Sequence, residues 1–188
     1  YKLGGLVRRG GTVKVEDVKR AIRTVPGFPK KGVMFRDITT LVKDYKTFRY
    51  AIKKLASVFL DDDIDLVVGI ESRGFIIGAP LALELCAGFV PVRKPGKLPY
   101  KTVKKEYRTE YSLDSVEMHV DAVQPGQRVL MVDDLIATGG TMKAAIQLVE
   151  QLKGQVVGVA FVVDLPELHG KEKLKGYRIV NLVEFEGE

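Results

Sequence analysis

Apolar residues recur along the chain in two alternating periods. Behind Asp44, a side-chain cap, Phe48, Ala51, Ile52, Leu55 and Phe59 fall at i, i+3, i+4, i+7 and i+11, a helical stripe that predicts packing against a sheet. Residues 64–70 form a short apolar, β-branched run, residues 74–86 a small-and-apolar helical run, and residues 89–92 a second strand-like piece, which together make a βαβ unit. The same grammar returns at 128–132, a continuous apolar run of the kind buried on both faces of a parallel sheet. A Gly-rich turn follows it, then a helix with Thr141, Ala145, Leu148 and Leu152 on one face that runs to Gly154. Residues 156–163 and 177–183 supply further strands. Strands alternating with helices predict an α/β fold, a mostly parallel twisted sheet flanked by helices with right-handed crossovers.

Residues 93–113 break this rhythm. No period persists there, seven Lys or Arg fall by residue 108, and Tyr100, Tyr107 and Tyr111 lie among them. A structureless stretch of that length inside a compact domain points to a lid, a binding loop or a disordered segment. Residues 1–12 are Gly-rich and without period, and read as a flexible extension or an added remnant outside the fold. Residues 13–188 then make one domain, with no internal repeat and no linker.

Composition narrows the classes. At 188 residues, with 46% apolar and 29% charged positions, the chain has a normal globular make-up and is far from disordered or low-complexity classes. The 30 Lys and Arg outnumber the 24 Asp and Glu by 6, a surplus that suits an anionic ligand without naming it. Cys86 is the sole cysteine, which excludes an intramolecular disulfide framework and a Cys-rich zinc site; in its apolar run it reads as a small buried hydrophobe. His119 and His169 share no metal-ligand spacing and read as surface residues, residues 61–63 as a solvated turn, and residues 171–175 as a charged exposed face. No stretch approaches the roughly 18 apolar residues that span a bilayer, and no signal pattern opens the chain, so a reducing, cytoplasmic setting is expected and a membrane partner is not.

The chemistry concentrates in VLMVDDLIATGGT, residues 129–141: a buried strand, two acids, two apolar residues and a small-residue turn that opens a helix. Ligands of parallel α/β sheets bind beyond the carboxyl ends of the strands, where helix N-termini point. A phosphate there meets unpaired backbone N–H groups and the positive end of a helix dipole. Gly139 and Gly140 permit close approach of its oxygens, while Thr138 and Thr141 offer hydroxyl donors. Asp133 and Asp134 precede this cradle by several ångströms, where an attached sugar would project; carboxylates accept from ribose hydroxyls and draw Mg²⁺. Competing nucleotide motifs fail, since there is no G-x-G-x-x-G and the glycine spacing of Gly69 and Gly74 continues into Phe75-Ile76 instead of Lys-Ser/Thr.

Four segments in order carry a family resemblance: PGFPKKGVMFRDIT (26–39), GIESRGFIIGAPLA (69–82), VPVRKPGKLP with the later EYSL (90–99 and 110–113), and VDDLIATGGTM (132–142). Together they resemble the type I phosphoribosyltransferase family, in particular its adenine-specific branch, over about residues 15–185. The resemblance implies that family's fold, with a small N-terminal hood over about 13–40 and a flexible lid loop over about 94–112. It implies purine salvage from adenine and 5-phosphoribosyl 1-pyrophosphate (PRPP), giving AMP and pyrophosphate with Mg²⁺, in a homodimer.

Residue by residue, it implies that Ala137, Thr138, Gly139, Gly140 and Thr141 hold the 5-phosphate and that Asp133 and Asp134 serve the ribose hydroxyls, one of them reaching Mg²⁺ through water. Glu71, Ser72, Arg73 and Gly74 become a pyrophosphate loop with a non-proline cis peptide at Glu71–Ser72. Arg93, Lys94 and Lys97 add basic groups near pyrophosphate. Met34 and Arg36 would read the adenine edge through their main chain, with the Phe35 ring stacked on the base and Ile136 behind it. From its own spacing alone, Phe35 fits core packing equally well. Glu110 and Tyr111 match the closing-loop pair, with Glu110 handling a purine proton and Arg73 completing the catalytic set. Two other functions are weighed against this one. A 6-oxopurine phosphoribosyltransferase is disfavoured by MFRDIT, and a PRPP-sensing regulator that binds nucleic acid is disfavoured by the lid pair and the absence of room for a DNA-binding domain.

Overall fold

The computed structural model describes residues 12–108 and 113–187. The path begins with helix α1 (Val15–Ala21), a short antiparallel hairpin of β1 (Arg23–Pro26) and β2 (Met34–Asp37), and helix α2 (Thr39–Lys43). The amphipathic stripe behind Asp44 becomes α3 (Tyr45–Ala56), and the Asp44 carboxylate accepts from the backbone N–H groups of Lys46 and Thr47, as a cap should. The first βαβ unit is β3 (Leu66–Ile70), α4 (Arg73–Glu84) and β4 (Gly88–Val92). A hairpin of β5 (Thr102–Arg108) and β6 (Leu113–His119) follows, then β7 (Arg128–Ile136), α5 (Gly140–Gln151), β8 (Gln155–Asp164), two 3-10 turns at Pro166–Leu168 and Gly170–Leu174, and β9 (Ile179–Glu184).

The main sheet is five-stranded and parallel, ordered β4-β3-β7-β8-β9. The chain leaves β3 toward one edge and returns on its other side with β7, so the topological switch point lies between the carboxyl ends of those two strands. Both faces of β7 are covered, as its unbroken apolar run requires. Leu130 and Val132 pack with α3 and α4, while Val129 and Met131 pack with α5, all of them fully buried. Strand β7 also runs farther than its apolar run, so that Asp133 and Asp134 belong to its carboxyl end. Among the described residues no helix is long and apolar enough to cross a membrane.

Three local expectations change. The aperiodic stretch after Arg93 is not structureless, since residues 102–108 pair with residues 113–119 along their whole length. Cys86 is exposed, because it takes the left-handed conformation (φ 55) that ends α4 and turns the chain away from the core. His119 is half-buried rather than superficial, on the last pair of the β5–β6 hairpin.

Candidate active site

Helices α4 and α5 both begin just past the carboxyl ends of β3 and β7, so two sets of unpaired N–H groups flank the switch point. The turn before α5 has Gly139 at φ 72, a left-handed conformation that glycine adopts without strain, and Ala137 to Thr141 are all partly open. The turn before α4 contains a cis peptide at Glu71–Ser72. Here α4 also approaches the acids, since a Cβ on Gly74 would lie 2.8 Å from Asp133 Oδ1.

Arg73 is the junction of the site. Its Nε lies 2.9 Å from Asp134 Oδ2, and its guanidinium sits 5.0 Å from the centre of the Phe35 ring. The N–H is not aimed at that oxygen, which is buried and has no hydrogen-bond donor among the described residues, so the contact is Coulombic. Asp133 Oδ1 accepts from the backbone N–H of Asp134 at 2.9 Å. Burial pushes the Asp133 carboxyl well above the usual carboxylate range and the Asp134 charge adds to that; burial also raises Asp134, with Arg73 acting against it. Asp134 Oδ2 is left without a donor, which a sugar hydroxyl or metal-bound water can supply.

The hood presents Phe35 with Phe28 edge-on at 5.1 Å. Gly27 N–H donates to Val33 O at 2.8 Å, which sets the phase of the β1–β2 ladder. By strict alternation Val25 and Phe35 form a hydrogen-bonded pair, and Met34 and Arg36 turn their main-chain groups toward the open edge of β2. The Arg36 side chain is buried, donating to Thr24 Oγ1 at 2.7 Å and lying over the Phe185 ring. Ile136 is 2% exposed and packs in the core with Met142 and Leu174, so it presents almost no surface to a ligand.

Of the remaining basic residues, Arg93 and Lys94 come with partners. Glu71 accepts from Arg93 Nε at 3.1 Å and from the Lys94 backbone N–H at 2.9 Å, so its carboxylate holds the β4 end instead of facing a ligand. Lys94 Nζ donates to Asp114, and Lys97 is exposed. Tyr107 was not among the expected site residues, nor was Asp114, yet both belong to it. Thr141 Oγ1 donates to Tyr107 Oη at 3.1 Å, and Tyr107 in turn donates to Asp114 Oδ2 at 3.2 Å. The hairpin therefore joins the turn before α5 to the carboxyl end of β4. Its signal in the sequence is the two-residue period of Val103, Lys105 and Tyr107, half-buried between exposed Lys104, Glu106 and Arg108. Glu110 and Tyr111 lie outside the described residues.

A parallel sheet whose switch point carries an acid pair beside a glycine turn, with a separate antiparallel arm across it, is the architecture of a phosphoribosyltransferase, and the phosphoribosyl transferase domain family matches residues 40–187. An adenine phosphoribosyltransferase of Halothermothrix orenii is 52% identical over 168 residues, 89% of this chain and 99% of its own. A crystal structure of the adenine phosphoribosyltransferase of Thermoanaerobacter pseudethanolicus superposes with a TM-score of 0.89 at 52% identity, covering 92% of this chain and 100% of that one. That of Saccharomyces cerevisiae, complexed with an imino-altritol bisphosphate and adenine, gives 0.85 at 40% identity over 90% of this chain and 98% of that one. The chain belongs to the adenine phosphoribosyltransferase family.

Proposed function

We propose that the chain is a purine-salvage transferase that moves the 5-phosphoribosyl group of PRPP to adenine, giving AMP and pyrophosphate. The observation that carries this reading is the junction at Arg73, whose guanidinium reaches both Asp134 at 2.9 Å and the Phe35 ring at 5.0 Å. One side chain thus links the base platform, the ribose acids and the pyrophosphate loop.

In this reading adenine stacks on Phe35 while the main chain of Met34 and Arg36 reads its edge, and the turn from Ala137 to Thr141 holds the 5-phosphate. Asp133 and Asp134 accept from the ribose hydroxyls and fix C1 between base and leaving group. Breaking the bond from C1 to pyrophosphate develops positive charge on the sugar and negative charge on the leaving group, so basic groups must meet one and water must be kept from the other. Arg73, Arg93, Lys94 and Lys97 serve the pyrophosphate, and the β5–β6 hairpin serves as the lid. Glu110 handles the proton of the incoming purine, paired in this role with Tyr111, the next residue in sequence.

The donor set fits Mg²⁺ carried by the substrate. Two adjacent carboxylates are present, one with a buried oxygen that lacks a donor, and the described residues hold no group of three acids, histidines or cysteines to cage a metal alone. Asp133 or Asp134 would hold the ion through water, and the ion would supply charge neutralisation at the departing pyrophosphate. The reading extends to a homodimer in the cytoplasm. Ile76, Ala79 and Leu83 form an exposed apolar stripe along α4 that suits a second copy.

Pyrophosphate release from PRPP with Mg²⁺ tests the reading when adenine, hypoxanthine, guanine and no base are compared. Release with adenine alone is expected. Release with hypoxanthine and not adenine would move the chain to the 6-oxopurine enzymes, and release with no base added or with none of the three would contradict base-dependent transfer altogether.

A further inference from the structure

We infer that Gly170, pinned by Lys171, is a positioning residue for the 5-phosphate turn, an inference that rests on the reading of residues 137–141 as that turn. The turn has no bulky side chains of its own and lies directly on a second stretch of backbone. A Cβ on Gly139 would fall 2.4 Å from Gly170 O, and a Cβ on Gly170 would fall 2.2 Å from Ala137 O and 2.8 Å from Ile136 Cγ1. No Cβ tolerates such distances, so main chain touches main chain with nothing between. Gly139 also needs its left-handed conformation, whereas Gly170 lies outside that region. At Gly170 only the missing Cβ matters.

Gly170 is itself held from three sides. It opens the 3-10 turn Gly170–Leu174, whose Leu174 is fully buried in the core cluster that includes α5. The next residue, Lys171, places Nζ 2.6 Å from Asp164 Oδ2 and 3.4 Å from Glu184 Oε1, which ties the turn to the carboxyl ends of β8 and β9. The Asp164 side chain is 3% exposed, so this pair is shielded from solvent on its acidic side. Leu165 N–H donates to Ile136 O at 3.1 Å and keeps the end of β7 in the same frame. The charged face expected at 171–175 therefore has a tethering lysine at its start. Through Gly170 the sheet ends set where the N–H groups of the 5-phosphate turn stand. A shift of about an ångström in such a group is enough to weaken a bound anion strongly.

A merely structural role would lower the active fraction and leave ligand affinities alone. Positioning predicts a selective change instead. In Gly170→Ala the KM for PRPP and the Kd for ribose 5-phosphate should each rise about tenfold, with the KM for adenine within about twofold of wild type. Lys171→Met should move the same two quantities in the same direction, and Lys171→Arg, which keeps the charge, should return them toward wild type. Where the added Cβ prevents folding of Gly170→Ala, the two Lys171 variants give the same test. Unchanged PRPP KM and ribose 5-phosphate affinity in the folded variants would overturn the inference. Failure of the underlying reading would look different: ribose 5-phosphate would not bind the wild-type protein, or Thr141→Ala would leave its binding unchanged, and both ideas would fall.

Discussion

At the scale of single residues, the site is built from groups that each face two ways. Arg73 meets an acid and an aromatic ring, Glu71 holds both the side chain of Arg93 and the backbone of Lys94, and burial raises the pKa of both Asp133 and Asp134 while Arg73 pulls against it. Asp37, where the hood meets α2, is the opposite case. Thr39 and Arg23 hydrogen-bond its carboxylate and hold its pKa at about 2, below the ordinary 3.8. A folded-state pKa below the unfolded one contributes stability that is present above about pH 4 and is lost as pH falls toward 2. Thermal unfolding of the wild type should therefore lose more ground between pH 4 and 2 than that of Asp37→Asn, the two curves drawing together as acid is added. Parallel curves over that window would show that the Arg23–Asp37–Thr39 cluster adds no pH-dependent stability.

At the scale of elements, the β5–β6 hairpin decides how the site is closed. Its Tyr107 and Asp114 occupy Thr141 and Lys94, the groups proposed for the 5-phosphate and the pyrophosphate. Burial alone would lower the Lys94 pKa; the hydrogen bond it donates to Asp114, together with Tyr107 and the Asp114 charge, outweighs burial and raises the pKa overall, so the ammonium is already paired with an internal carboxylate. Removing that competitor in Asp114→Asn should tighten inhibition by inorganic pyrophosphate, by about fivefold if the exchange is worth about 1 kcal/mol. Weaker inhibition in Asp114→Asn would mean that the carboxylate orients Lys94 and does not compete for it. This hairpin is also among the elements least legible in the sequence. An inward lysine, Lys105, interrupts the alternation of Val103 and Tyr107, and β1 and β2 are equally hidden because four residues are too few to establish a period. The strands of the main sheet and the long helices α3, α4 and α5 were readable because burial on two faces leaves continuous apolar runs and helical stripes. Site residues followed the same division. The acid pair and the glycine turn stand next to each other in sequence, whereas Gly170, Tyr107 and Asp114 reach the site only through tertiary contacts that no local spacing records.

At the scale of the whole molecule, the surplus of 6 positive charges does not accumulate as an open basic face at the site. Three of the four basic residues assigned to pyrophosphate carry a carboxylate within the fold, as Arg73–Asp134, Arg93–Glu71 and Lys94–Asp114. A polyanion arriving there exchanges one set of ion pairs for another, which favours a ligand whose phosphates match several positions at once over a sequence-independent nucleic-acid backbone. The parallel sheet holds this constellation at its switch point, and the antiparallel arm, joined to the end of β4 by the paired backbone hydrogen bonds of Arg93 and Glu117, lies across it. The central claim, that the switch point transfers phosphoribosyl to adenine, is tested most directly by AMP formation from adenine and PRPP with Mg²⁺ in wild type and in Asp134→Asn. The expected result is steady AMP formation in wild type and a loss of about a hundredfold or more in kcat/KM for a variant that still unfolds cooperatively. Near-normal turnover in folded Asp134→Asn, or no AMP from the wild type, would contradict it.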